Sequence, residues 1–144
     1  MTTPFTKASD IADYLATLLA TIKIDDGFNT DIGTTVYRGR RMVDDDMVPC
    51  SVIIEGEDKP GDQVSREEIK VTQNYVLGGY VRCDPDHPND AAHKVIKDIK
   101  KVVFGEGPRM GNRVRAVSYV GRDIGPRADG VPIVFAVVHI AIEY

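Results

Sequence analysis

Nowhere in the chain does an apolar run approach the roughly 20 residues that a membrane-spanning helix needs. The opening stretch, MTTPFTKASD, has neither the charged start nor the apolar segment of a secretory signal. Both absences lead us to expect a protein that folds in a reducing cytoplasm. Cysteine is scarce: Cys50 and Cys83 sit far apart in apolar, strand-like segments. They read as buried free thiols, because a free cysteine behaves as a small hydrophobe, with a disulfide or a reactive thiol as the alternatives. A basic excess is also missing. The 18 Lys and Arg against 22 Asp and Glu give a net charge of -4, which argues against a general nucleic-acid binder while leaving room for a local basic patch.

The motifs of common chemistry are absent as well. The three histidines, His87, His93 and His139, fall in a loop, on a helix and in a strand, with no nucleophile motif around any of them. GEGPRMGN lacks the Gly-Lys-Ser/Thr ending of a phosphate loop, and GGYVRC is not a dinucleotide fingerprint. His139, among apolar neighbours, reads as a hydrogen-bonded core histidine. DPDHPND gathers Asp84, Asp86, His87 and Asp90, but no second His/Cys cluster completes a coordination set, so capping acids at a helix start explain it. GFNTDIGTTVYRGRR fails as a calcium loop: counted from Asn29, Gly33 comes one position early and the twelfth residue is Arg40. Asn29 and Asp31 are expected to make local turns before a strand. We expect no catalytic residue, cofactor or metal.

What is present suits one soluble α+β domain over residues 1–144, with 42% apolar and 28% charged residues. Ile11, Leu15, Leu18, Leu19 and Ile22 recur at helical spacing, predicting a helix capped by Ser9 or Asp10 that runs to about Lys23. Strands are expected over 34–43 and 49–55, then a long polar loop over 56–66. From Glu67 to Cys83, Ile69, Val71, Tyr75, Leu77 and Val81 alternate with Lys70, Thr72, Asn74 and Arg82. Such a strand would extend on the order of 50 Å, so either Gly78-Gly79 bends it or one end projects from the body. Asn89 or Asp90 can cap a second helix to about Phe104, with Ala92, Val95, Ile96, Ile99, Val102 and Val103 as its buried stripe. Strands over about 113–120 and 132–143 follow. The order is α-β-β-β-α-β-β: a mostly antiparallel sheet of about five strands with two helices on one face.

One feature bears on function. In VPIVFAVVHIAIEY, Val134, Ala136, Val138, Ile140 and Ile142 share one face, and Ile133, Phe135, Val137, His139 and Ala141 share the other. Both faces are apolar, yet two helices cover only one. Either the sheet curls or loops fold over the second face, or another subunit supplies the missing layer. Arg38 and Arg40 share a strand face with Arg41 opposite, while Arg122 and Arg127 stud the final hairpin loop. With no aromatics inside the RGRR run, interface contacts with carboxylates suit the arginines better than single-stranded nucleic acid. Candidate interface residues are therefore Arg38, Arg40, Arg41, Lys70, Thr72, Asn74, Arg82, Arg122, Arg127 and Phe135.

The leading amphipathic helix, DGFNTDIGTTVYRGRR, the P-x-x-x-I strand, the polar loop, the Lys-rich helix and the closing VPIVFAVVHIAIEY strand together resemble the tail terminator, or tail completion, proteins of tailed bacteriophages. The resemblance runs over nearly the whole chain, with GFNTDIG-x-x-V-x-RG as its most telling segment. It implies a non-enzymatic virion protein, made in the host cytoplasm, that forms a homo-oligomeric ring (a hexamer in the family) on the head-proximal end of the tail tube. Implied partners are further copies of itself, the tail tube protein and the neck or connector protein, with DNA only as passing cargo. Arg38 and Arg40 would then pair with acids of a neighbouring copy around a neutral or acidic lumen. A neck or head-completion protein, and a monomeric binding module or enzyme, are the alternatives.

Overall fold

The computed structural model describes residues 8–39, 43–63, 69–125 and 130–144. Its elements follow the expected order: helix α1 (Ala8–Ala20), strands β1 (Val36–Arg38), β2 (Cys50–Gln63) and β3 (Ile69–Arg82), helix α2 (Pro88–Phe104), then β4 (Ala116–Ile124) and β5 (Ile133–Glu143). The fold is α+β. The sheet order is β1-β2-β3-β5-β4, antiparallel throughout except for the parallel β1–β2 pair.

Helical periodicity decides which side of the sheet is covered. Ile11, Leu15 and Leu19 of α1 and Val95, Ile99 and Val103 of α2 are at most 1% exposed, as one stripe per helix requires. They pack on Tyr75, Leu77, Ala136, Val138 and Ile140, which share one face of β3 and β5. Each such Leu or Ile contributes about 1.5–3 kcal/mol by leaving water. Both helices lie on this single face.

Several expectations are corrected at the ends of elements. Ser9 and Asp10 lie within α1 rather than capping it. The cap position of α2 belongs to His87, with Pro88 in the first turn; Asn89 and Asp90 follow inside the helix. Proline suits that position because its missing N–H would be unpaired there anyway. β1 is three residues long, preceded by a 3₁₀ turn at Ile32–Thr34; residues 40–42 lie outside the described set. Residues 56–63 of the expected polar loop are strand, since β2 runs to Gln63 paired with β3; residues 64–66 lie outside the described set. The hairpin formed by β2 and β3 reaches past β5, whose ladder with β3 ends at Thr72↔Glu143, with Tyr144 bonded to Val71 beyond it. Of the described β3 residues only Ile69 and Lys70 lie beyond that pairing, so β5 matches nearly the whole length of the strand.

GFNTDIG proves to be a clamp between the helices. The buried carboxylate of Asp98, in α2, accepts the Asn29 backbone N–H (3.1 Å), the Asn29 side-chain amide (3.0 Å) and the Thr30 hydroxyl (2.7 Å). Phe28 lies under the Lys101 ammonium, 4.7 Å from its ring centroid. Asp31 accepts the Ile24 N–H, the one expected local turn, whereas Asn29 reaches across to α2. Gly33 donates its N–H to Ile22 at the end of α1 (2.9 Å).

A second link ties α1 to the segment after α2. The Tyr14 hydroxyl donates to Glu106, and Arg113 bonds Glu106 (2.6 Å) while its guanidinium lies 4.4 Å from the Tyr14 ring centroid. The hydrogen bond from Tyr14, aided by Arg113, holds the Glu106 carboxyl below the usual range. Partial burial, then the bond to Glu106, pushes the Tyr14 phenol from 10.0 up to about 12. A phenol that holds its proton more tightly when folded stabilises the fold fully below pH 10, and that contribution is lost as pH rises through about 12. Tyr14→Phe should therefore remove one late-ionising phenolate from the ultraviolet titration and flatten the loss of stability across that window.

Candidate functional site

Register assigns the second face of the sheet. Across the strands it reads in rows: Tyr37, Val52, Gly78 and Val137; Cys50, Tyr80 and Phe135; Ile54, Val76 and His139; Asn74 and Ala141; Thr72 and Glu143. Alternation puts every one of these opposite the helices. Among the described residues, no helix lies over this face.

The face shields part of itself. At Gly78 a Cβ would meet the Phe135 ring at 2.4 Å, so the absent side chain lets that ring lie flat on the sheet. Tyr80 stacks on Phe135, with centroids 4.2 Å apart and planes at 17°. Around this pair, Cys50, Val52 and Val137 are at most 7% exposed, although none joins the core beneath the helices. Ile54, Val76, Tyr80, Phe135 and Ala141 remain half-buried. The second face is thus apolar at its centre and capped by aromatic rings where a helix would otherwise lie. Gly78→Ala should lift the Phe135 ring and lower unfolding free energy in urea by about 1–3 kcal/mol, the usual range for overpacking.

Polar groups frame this centre. His139 faces the open side, not the core: its Nε2 lies 3.1 Å from Asp123, and the two side chains are 35% and 76% exposed. Its hydrogen bond matches the expectation, its location does not. Lys70, Thr72 and Asn74 are half-buried and Arg82 is exposed, on the same face as Phe135. Five of the candidate interface residues therefore come together. Arg38 does not join them, because it lies on the helix side bonded to Asp13 of α1, with Glu55 3.9 Å away. Its acids here, Asp13 and Glu55, belong to its own chain. Arg122 also stands on the helix side, inside β4 rather than in a loop, 3.2 Å from His93 Nδ1. Arg40, Arg41 and Arg127 lie outside the described residues.

A scan of protein-family models and a search of curated proteins find no match to this chain.

The remaining candidate chemistry resolves into structure. Asp84 accepts the Asp86 N–H (2.9 Å), a local turn leading into α2. Among the described residues, no three His, Cys, Asp or Glu side chains gather as metal ligands. Neither Cys50, which is buried, nor Cys83, which is half-buried, is in a disulfide. No described helix is long and apolar enough to cross a membrane.

Two features escaped sequence reasoning. Asp98 sits on the buried stripe of α2 between Val95 and Val102, and an acid at such a position demands donors from elsewhere. Tyr119 and Val120 are 45% and 61% exposed, at a register shift in β4. Two successive large apolar residues in an alternating strand were the available signal for that bulge.

Proposed function

We propose that the protein is a non-enzymatic tail terminator of a tailed bacteriophage, forming a ring on the head-proximal end of the tail tube. One observation carries the reading: a sheet face apolar at its centre, with no helix among the described residues to cover it. A partner that buries Ile54, Val76, Phe135 and Ala141 gains their transfer from water, and Lys70, Asn74 and Arg82 supply a polar rim of the kind interfaces use. The β2–β3 hairpin adds reach toward the tube or the next copy. The likeness in element order and in GFNTDIG supports the family, while the clamp geometry makes that motif a folding device rather than a contact surface.

Tails assembled without this protein should have tubes of uncontrolled length in negative-stain images. Tails of normal length that never join heads would contradict termination and favour a neck or head-completion protein.

A further inference from the structure

The two edges of the sheet are opposite in character. At the β4 edge, Tyr119 and Val120 protrude where the strand bulges. Cations surround them: the Lys100 ammonium lies 4.1 Å from the Tyr119 ring centroid, Arg122 is exposed two residues beyond Val120, and exposed Lys97 stands one turn before Lys100 on α2. The acid of this strand, Asp123, belongs to the other face, against His139.

At the far edge, β1 pairs β2 only over Ser51–Ile53, and Gly39 closes that pairing with an N–H to Ile53 (2.7 Å). Where β1 ends, a cleft of about 440 Å³ opens, lined by Arg38, Gly39, Ile53, Ile54 and Glu55. Within it exposed Glu55 lies 3.9 Å from Arg38, which is also bonded to Asp13, and exposed Glu57 follows further along β2. One edge therefore carries an apolar knob with a cationic border; the opposite edge carries a cleft with half-buried Ile54 in its wall, where among the described residues the acids Asp13, Glu55 and Glu57 outnumber Arg38.

Neither edge suits direct strand addition. β4 bulges between Tyr119 and Gly121, β2 shifts register between Glu55 and Asp58 and again after Pro60, and Pro60 has no N–H to offer. Bulges, charge and proline are the usual protections of a strand edge. The complementarity lies in the side chains.

We infer that Tyr119 and Val120 of one copy seat in the β2 cleft of the next, with Lys100 and Arg122 facing Glu55 and Glu57. Because the two patches lie on opposite edges of one sheet, the contact is head-to-tail, the heterologous type that closes into rings. It rests on the ring reading above, and apart from Ile54 at its margin it leaves the open face for the tube. In a chain of net charge -4, such local pairing supplies orientation and weakens with salt.

The test uses the full chain in low salt, followed by sedimentation velocity. Lys100→Glu with Arg122→Glu, and separately Glu55→Lys with Glu57→Lys, should each weaken association at least about tenfold; mixing the two variants should restore it, since each reversed patch meets a reversed partner. Far-UV circular dichroism checks the fold, and Val120→Ala, at an exposed position, should weaken association several-fold without disturbing it. Wild-type rings together with variants that assemble equally well, or blocked variants that stay apart when mixed, would overturn the inference and leave the ring reading standing. A wild-type chain that stays monomeric both alone and with purified tail tubes would overturn the ring reading, and this inference with it.

Discussion

Asp98→Ala should lower stability by about 3–5 kcal/mol, a fall of roughly 10 °C in melting temperature for a domain of this size. The substitution removes one carboxylate but strands three donors: the Asn29 N–H, the Asn29 amide and the Thr30 hydroxyl. Hydrogen bonds to a charged acceptor are worth about 1.5–3 kcal/mol each, and donors left unpaired in a buried place add a penalty of their own. Asp98 is 1% exposed and Thr30 is 7% exposed, so water cannot easily replace the carboxylate at the Thr30 hydroxyl, whereas the donors of exposed Asn29 can turn to water. Asp98→Asn keeps the shape and one acceptor oxygen and should recover part of the loss. Thermal unfolding of the three proteins at neutral pH checks the ranking. An Asp98→Ala protein as stable as the wild type would mean that the clamp is ornamental.

The second large effect is expected at Gly33. A Cβ there would lie 2.5 Å from the Leu19 carbonyl oxygen, 2.6 Å from that of Ile22 and 2.8 Å from that of Ala20. All three are backbone atoms, two in the last turn of α1 and one just beyond it, so relief requires moving the chain there rather than rotating a side chain. Gly33→Ala should cost about 3 kcal/mol, at the upper end of overpacking penalties, and should also weaken the Gly33–Ile22 hydrogen bond. Urea unfolding with an unchanged slope and a lower midpoint would report this as a loss of native stability. Gly27→Ala would not test the same thing, because that position has open space around it and fails through its backbone angle instead.

These two positions show how far the sequence could be read. Spacing located both helices because Ile11, Leu15 and Leu19, or Val95, Ile99 and Val103, repeat with the period of the helix they build. β5 was legible for the same reason, with Val134 to Ile142 alternating on one face. The strand from Gly56 to Gln63 is not legible in this way, because its register with β3 shifts twice, and a strand whose register slips keeps no regular alternation. Its pairing is a backbone property, invisible in a run such as GEDKPGD. Asn29 was misread as a local turn former since its partner lies 69 positions away on α2, and only the fold brings them together. The interface candidates divided along the same line. Lys70, Thr72, Asn74, Arg82 and Phe135 follow from strand alternation and do share a face. Arg38 was chosen for its neighbours in sequence, and the sheet turns it toward Asp13 instead.

The account rests on a partner covering the open face, and co-sedimentation with purified tail tubes tests it most directly. Val76 lies at the centre of that face, half-buried and away from the helical core. The wild-type chain should pellet with tubes, while Val76→Asp, its fold confirmed by circular dichroism, should bind on the order of 100-fold more weakly, because a carboxylate would replace an apolar contact and lose its water on docking. A Val76→Asp chain that caps tubes as well as the wild type would show that the face stays open to water, and would contradict the account.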